Sequence, residues 1–74
     1  MSCSLHVITP AGEIHLEMPP DAVAAEVLDT CTEAMRAARV VEFAGCRAPG
    51  SVDRTTIVVN FTRVSVAWVD LRSP

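Results

Sequence analysis

Two histidines and a glutamate near the start of the chain are the first side chains that could do chemistry. His6, His15 and Glu17 fall on one face of a β-hairpin predicted below, with His6 opposite Glu17 and His15 on the diagonal. Two imidazoles and a carboxylate can hold zinc or a similar ion. The spacing is that of no established ligand motif, and polar side chains on a hydrated strand face explain the same residues more simply. The sequence therefore predicts no cofactor. His6, His15 and Glu17 remain candidate metal ligands in the alternative interpretation of the chain as an enzyme.

Cys46 is the second candidate, because it lies beside Arg47 in a segment, GCRAPGSVD, that reads as a loop. A neighbouring guanidinium group can lower the pKa of a thiol and make the thiol reactive. No base lies close to Cys46 in the sequence, so no catalytic residue is assigned. Cys31 falls on the buried face of a predicted helix. Cys3 lies two residues before Leu5 and so shares the inward face of a predicted strand. Three cysteines without a C-x-x-C pair argue against a disulfide framework.

The hairpin that would carry the histidines is predicted from two alternating segments, SLHVIT and EIHLEM. The residues PAG between them supply a turn. Pairing Val7 with Leu16 collects the apolar side chains on one face, whereas a slip of one residue would set Val7 against His15. We therefore expect a β-hairpin over residues 4–18.

A helix is expected next, because apolar residues recur at helical spacing from Val23 to Ala38. Pro20 suits the first helical position, and the helix is predicted over about residues 20–38. The segment VVEFA then predicts a short strand over residues 40–44.

The chain closes with the valine-rich segment TTIVVNFTRVSVAWVDL. We divide it at Asn60 into two strands, over about residues 55–59 and 64–71. If Phe61 and Thr62 form the turn, the two strands pair with Val59 opposite Val64. The turn lacks the Asn-Gly chemistry of tight hairpins, so a bend in one long strand at Asn60 is the alternative.

These elements predict one small α+β domain over residues 1–74, in the order β-β-α-β-β-β. It would be a two-layer sandwich in which one helix covers one face of a mainly antiparallel sheet. A chain of 74 residues buries only about 60–65% of its unfolded surface, yet half of its residues are hydrophobic. Self-association would reconcile these two facts.

The charge of the chain argues against two classes of partner. Nine carboxylates oppose six arginines, there is no lysine, and the net charge is −3 without a basic cluster. Nucleic-acid binding and attraction to anionic membranes are therefore not expected. The odd cysteine count and the lack of a secretory signal predict a cytoplasmic protein with reduced thiols.

The expected function depends on what covers the sheet face that lies away from the helix. The strand patterns place apolar side chains on that face, which indicates either an ordinary half-hydrated sheet or an interface, and the small size favours an interface. Two copies could pack face to face, or their last strands could pair edge to edge. The interface is expected to use six residues: Val58, Phe61, Ala67, Trp68, Val69 and Leu71.

The sequence thus predicts a non-enzymatic interaction module, accessory or regulatory, that binds a second copy of itself, a larger protein, or both. Phe61, at an exposed turn, would anchor the contact. A small metal- or thiol-dependent enzyme that uses His6, His15, Glu17 and Cys46 is the alternative.

Overall fold

The computed structural model describes residues 2–72 and has one helix and five strands. In chain order the elements are β1 (Ser2–Thr9), β2 (Gly12–Glu17), α1 (Ala24–Ala37), β3 (Val40–Cys46), β4 (Thr55–Asn60), a 3₁₀ turn (Phe61–Arg63) and β5 (Val66–Arg72). The predicted α+β class and the order β-β-α-β-β-β are confirmed. All strand pairs are antiparallel, but the strands form two sheets rather than one.

The first hairpin has a tighter turn than the sequence predicted. Val7 lies opposite Ile14 rather than Leu16, because only two residues separate Thr9 from its partner Gly12. The Thr9 hydroxyl holds this turn, since it accepts a hydrogen bond from the backbone of residue 11 and donates one to the Gly12 carbonyl, both 3.1 Å long. The register therefore differs from the prediction by two residues, a shift that leaves each side chain on its predicted face.

The largest difference from the prediction lies in the pairing of the last strand. β5 pairs with β1, from Ser2 opposite Arg72 to Ile8 opposite Val66, and gives a three-stranded sheet in the order β2-β1-β5. The predicted hairpin between residues 55–59 and 64–71 is therefore wrong. β4 pairs instead with β3, which forms the second sheet.

The two-stranded sheet turns one face inward. Val41 and Phe43 of β3 lie opposite Val59 and Ile57 of β4, and all four pack in or against the core. A single antiparallel bridge joins the two sheets in the part of the chain that the structure describes, where the backbones of Glu17 and Arg47 exchange hydrogen bonds of 2.9 and 3.1 Å.

The helix begins at Ala24, later than the predicted residue 20. The chain at Pro19 first makes a turn, because the amide of Ala22 donates to the Pro19 carbonyl over 3.0 Å. α1 ends at Ala37, followed by Ala38 in the left-handed conformation (φ 52°). Its buried positions are Val27, Cys31 and Ala34, three members of the predicted apolar stripe.

One core lies between the helix and the inner faces of the two sheets. Every strand, the helix and the 3₁₀ turn contribute buried or partly buried side chains to it. The hydrophobic residues buried there are Cys3, Leu5, Val7, Leu16, Met18, Val27, Cys31, Ala34, Phe43, Cys46, Val59, Phe61 and Val64.

Candidate functional site

The last strand has its faces exchanged relative to the prediction. Ala67 and Val69 lie on the same side of the sheet as Leu5 and pack, partly buried, against the core. Trp68 lies opposite His6 and therefore belongs to the outer face. The predicted hairpin, with Val59 opposite Val64 on its inner face, would instead have put Trp68 inward and Ala67 and Val69 outward.

The 3₁₀ turn explains this exchange and buries Phe61. Phe61 is only 2% exposed, so its predicted exposure at a hairpin turn is wrong. Its ring packs edge-on against Phe43, with centroids 6.3 Å apart. The side-chain oxygen of Asn60 accepts a hydrogen bond of 3.1 Å from the Thr62 amide and caps the turn. Because the chain turns into the core at Phe61, β5 starts at Val66 with Ala67 and Val69 facing the core and Trp68 facing outward.

Val58 and Leu71 are exposed, but they lie in different sheets. Val58 is on the outer face of β4, and Leu71 is near the end of β5. The structure therefore does not bring the six predicted interface residues onto one continuous surface. Val58 instead lines a shallow groove of about 300 Å³ together with Ile14 and Pro10 at the turn of the first hairpin.

The outer face of the three-stranded sheet carries a row of three stacked rings, one from each strand. The ring of His6 lies between those of His15 and Trp68, with centroid distances of 4.1 Å and 4.8 Å. The planes of His6 and Trp68 are 1° apart. Most of this face is polar or aromatic, and of the described residues only the pair Ile8 and Val66 adds aliphatic side chains to it, so the broad apolar second face that was predicted does not exist on this sheet.

Carboxylates flank the central ring on both sides. His6 Nδ1 lies within hydrogen-bonding distance of Glu13 Oε2 at 3.1 Å, and His6 Nε2 lies 3.0 Å from Asp70 Oδ2. Glu17, the predicted partner of His6, forms an ion pair with Arg47 instead. The sequence reasoning missed Glu13 and Asp70 as partners. Strand alternation places Glu13 on the correct face, but Asp70 comes near only because β5 pairs with β1.

This arrangement is suited to holding strands together. Among residues 2–72, no group of three or more His, Cys, Asp or Glu side chains is arranged to hold a metal ion. His6 is 8% exposed, and carboxylate oxygens lie close to both of its ring nitrogens. Its Nδ1 atom is hydrogen-bonded to Glu13 of β2, whereas its Nε2 atom lies close to Asp70 of β5 without a hydrogen bond to any described residue.

Cys46 lies in the core and not in an exposed loop. It is fully buried at the end of β3, with its Sγ atom 3.7 Å from the Met18 sulfur. Burial raises the pKa of the Cys46 thiol, an effect that the charge of Arg54 opposes and the neighbouring Cys3 reinforces. The predicted environment of Cys46, a loop in which Arg47 lowers the pKa of the thiol, is therefore wrong.

β5 carries four of the six predicted interface residues and has one unpaired edge in the described part of the chain. β5 is hydrogen-bonded to β1 on one side, and no strand of the described chain pairs with its other side. Val66 is 48% exposed and Leu71 is 65% exposed, on opposite faces of this edge. Since His6 stacks on Trp68 from the β1 side, the opposite face of the Trp68 ring lies toward the unpaired edge.

Comparison with known proteins adds no family to this description. No family model matches the chain, and neither a curated protein nor a solved structure is significantly similar to it. Between residues 2 and 72, the one helix is too short to cross a membrane.

Proposed function

We propose that this chain is a small non-enzymatic interaction module, accessory or regulatory in role, that associates with a second copy of itself. The observation that carries the proposal is the unpaired edge of β5, a seven-residue strand. An unpaired strand edge presents a row of backbone donors and acceptors that another strand can satisfy.

The sequence of β5 leaves this edge open to pairing. Natural edge strands are commonly protected by proline, by charged side chains, lysine above all, or by a bulge. β5 contains neither proline nor glycine, and its register with β1 runs without a bulge. Only two of its seven residues are charged, Asp70 and Arg72, and no lysine occurs anywhere in the chain. The exposed side chains of Val66 and Leu71 would lose contact with water when a second strand is added.

A two-fold axis through Val69 gives a favourable register for two copies. In that register Val69 faces Val69 of the second copy, and Trp68 faces Asp70 of the second copy. An axis through Asp70 would place two like charges opposite each other, which is unfavourable. The Val69 register joins the two three-stranded sheets into one of six strands and covers the open face of the Trp68 ring.

A strand of a larger protein could occupy the same edge by the same chemistry. We favour a second copy because a two-fold contact needs no other molecule and because a chain this small gains most from extending its sheet. The three free cysteines, all buried, support the expected cytoplasmic location, where thiols stay reduced.

Sedimentation of the wild-type chain and of two lysine variants tests this proposal. Val66→Lys introduces a charge at the free edge, whereas Val52→Lys makes the same change at a position that is 87% exposed and outside every strand. We expect the wild type and Val52→Lys to sediment as dimers, and Val66→Lys as the 7.9-kDa monomer.

Circular dichroism must first show that both variants keep the wild-type spectrum. A wild-type chain that stays monomeric over the whole accessible concentration range would overturn self-association. A Val66→Lys variant that is folded and as dimeric as the wild type would show that copies meet through another surface.

A further inference from the structure

A polar cavity lies at the end of the first hairpin opposite its turn. It has a volume of about 250 Å³ and is lined by residues that include Ser4, Glu17, Arg47 and Arg54. None of the described residues that line this cavity belongs to the row of stacked rings, although Ser4 and Glu17 lie on the same sheet face. Its two arginines come from the segment after β3.

The charge of the cavity differs in sign from that of the whole chain. Among the described residues that line the cavity, two guanidinium groups and one carboxylate leave an excess of one positive charge, whereas the whole chain has a net charge of −3. Arg47 uses its Nε donor on Glu17, and Arg54 uses Nη1 on the Gly45 carbonyl at 2.7 Å. Each guanidinium has five N–H donors, so both keep donors for a ligand while these contacts hold their positions.

Ser4 supplies an independent observation. The residue is 0% exposed, and its hydroxyl has no hydrogen-bond partner among the described residues. Buried polar groups are nearly always paired, so a buried hydroxyl without a partner in a cavity wall calls for an explanation. A hydroxyl can donate to the same oxygen atoms that guanidinium groups bind.

We propose that this cavity binds a small oxyanion, a carboxylate or a phosphate group, through Arg47, Arg54 and Ser4. The planar fork of arginine matches the spacing of oxygens in both groups. The pairing of Glu17 with Arg47 orients the Arg47 guanidinium. Arg54 provides a positive charge that no other carboxylate in the described lining neutralises. The cavity is smaller than the ~300–1,000 Å³ of sites for drug-sized ligands, so the ligand is a small one.

The test is a titration of the isotopically labelled chain with sodium phosphate and, separately, with sodium acetate. Ionic strength is kept constant with chloride, and the backbone amide shifts are followed by nuclear magnetic resonance. We expect saturable shifts at Ser4, Arg47 and Arg54 with at least one of the two anions. The anion that saturates at the lower concentration identifies the preferred class, phosphate or carboxylate.

Three variants identify the groups responsible. Arg54→Gln should weaken binding at least tenfold, and Ser4→Ala should weaken it several-fold while leaving the charge unchanged. Arg63→Gln removes an exposed arginine that does not line this cavity and should bind as the wild type does. If Arg54→Gln loses its native spectrum, Arg54→Lys replaces it, because lysine keeps the charge without the fork.

Two results would overturn the proposal. One is the absence of saturable shifts with both anions. The other is unchanged binding in folded variants at both Ser4 and Arg54. Because sedimentation reports pairing of β5 and this titration reports the cavity, failure of one proposal is distinguishable from failure of the other.

Discussion

The rings of His6 and Trp68 stack face to face across the β1–β5 pair, with their centroids 4.8 Å apart. They also connect parts of the chain that are distant in sequence, since β1 and β5 lie near its two ends. Trp68 is the only tryptophan in the chain, so the fluorescence of the protein reports the surroundings of this one ring, which include His6.

We expect His6→Ala to change the fluorescence of Trp68 and to lower the free energy of unfolding by about 1–2 kcal/mol. The variant loses one stacked pair with Trp68 and the hydrogen bond to Glu13. Emission spectra and urea unfolding measure the two effects. Thr32→Ala, an exposed change on the helix, is the control, and identical spectra for His6→Ala and wild type would contradict the observed stacking.

Phe61→Ala should destabilise the protein strongly, by about 3–5 kcal/mol. Phe61 is buried and packs against Phe43, so its loss leaves a cavity in the core. Val58→Ala, at a half-exposed position, should change the free energy of unfolding by less than about 0.5 kcal/mol. Urea unfolding of the two variants decides between a core role and a surface role for Phe61, and equal small losses would contradict the core role.

Ala38→Gly should stabilise the chain by about 0.5–1 kcal/mol. Ala38 ends the helix with φ 52°, a left-handed conformation that costs energy for any residue with a Cβ atom and that glycine adopts freely. Ala37→Gly, one residue earlier and within the helix, should destabilise the chain because glycine is a poor helix former. Thermal unfolding of both variants gives opposite signs if this is correct, and a loss at both positions would contradict it.

Stability should fall when the pH rises from 9 to 11. Burial raises the pKa of the Cys31 thiol from 9.0 to about 11, so the unfolded chain loses this proton at a lower pH than the folded chain does. The stabilisation is complete below pH 9 and is lost as the pH rises toward 11, at up to about 1.4 kcal/mol per pH unit for this thiol. The sequence has neither lysine nor tyrosine, so cysteines are the only side chains expected to titrate in this interval.

Urea unfolding at a series of pH values measures this slope. Cys31→Ala should be less stable than the wild type at neutral pH and should show a shallower decline above pH 9. The decline should persist in part, because burial also raises the pKa values of Cys3 and Cys46. An identical slope in Cys31→Ala and wild type would show that the Cys31 thiol is not responsible.

Local patterns predicted the elements well, because burial on one face leaves a clear period in the sequence. The alternation around Val7 and Leu16 gave the correct faces for the first hairpin, even with a register two residues away. The spacing of Val27 and Cys31 identified the buried side of the helix. These features depend only on neighbours in the chain.

The pairing of β5 could not be obtained in this way. A short connection favours a hairpin, and the alternation of β5 is compatible with either face turned inward, since apolar residues occupy both. The deciding feature is the 3₁₀ turn capped by Asn60, which carries Phe61 into the core. Asparagine two residues before a threonine is a turn signal, but it does not reveal which strand the chain meets next.

The contacts of the candidate site could not be predicted from local patterns either. Strand parity placed His6 and His15 on one outward face, but the contacts of His6 with Trp68 and Asp70 exist only through long-range pairing. The environment of Cys46 was also decided at long range, by the packing of Met18 against it.

The central position of β1 has a consequence for synthesis of the protein. β1 receives one neighbour from the residues that follow it directly and the other from residues 66–72. A nascent chain therefore leaves the β1 edge unsatisfied until those residues emerge from the ribosome. During that interval the unpaired edge of β1 can associate with other chains, so a chaperone present during synthesis should raise the yield of native protein.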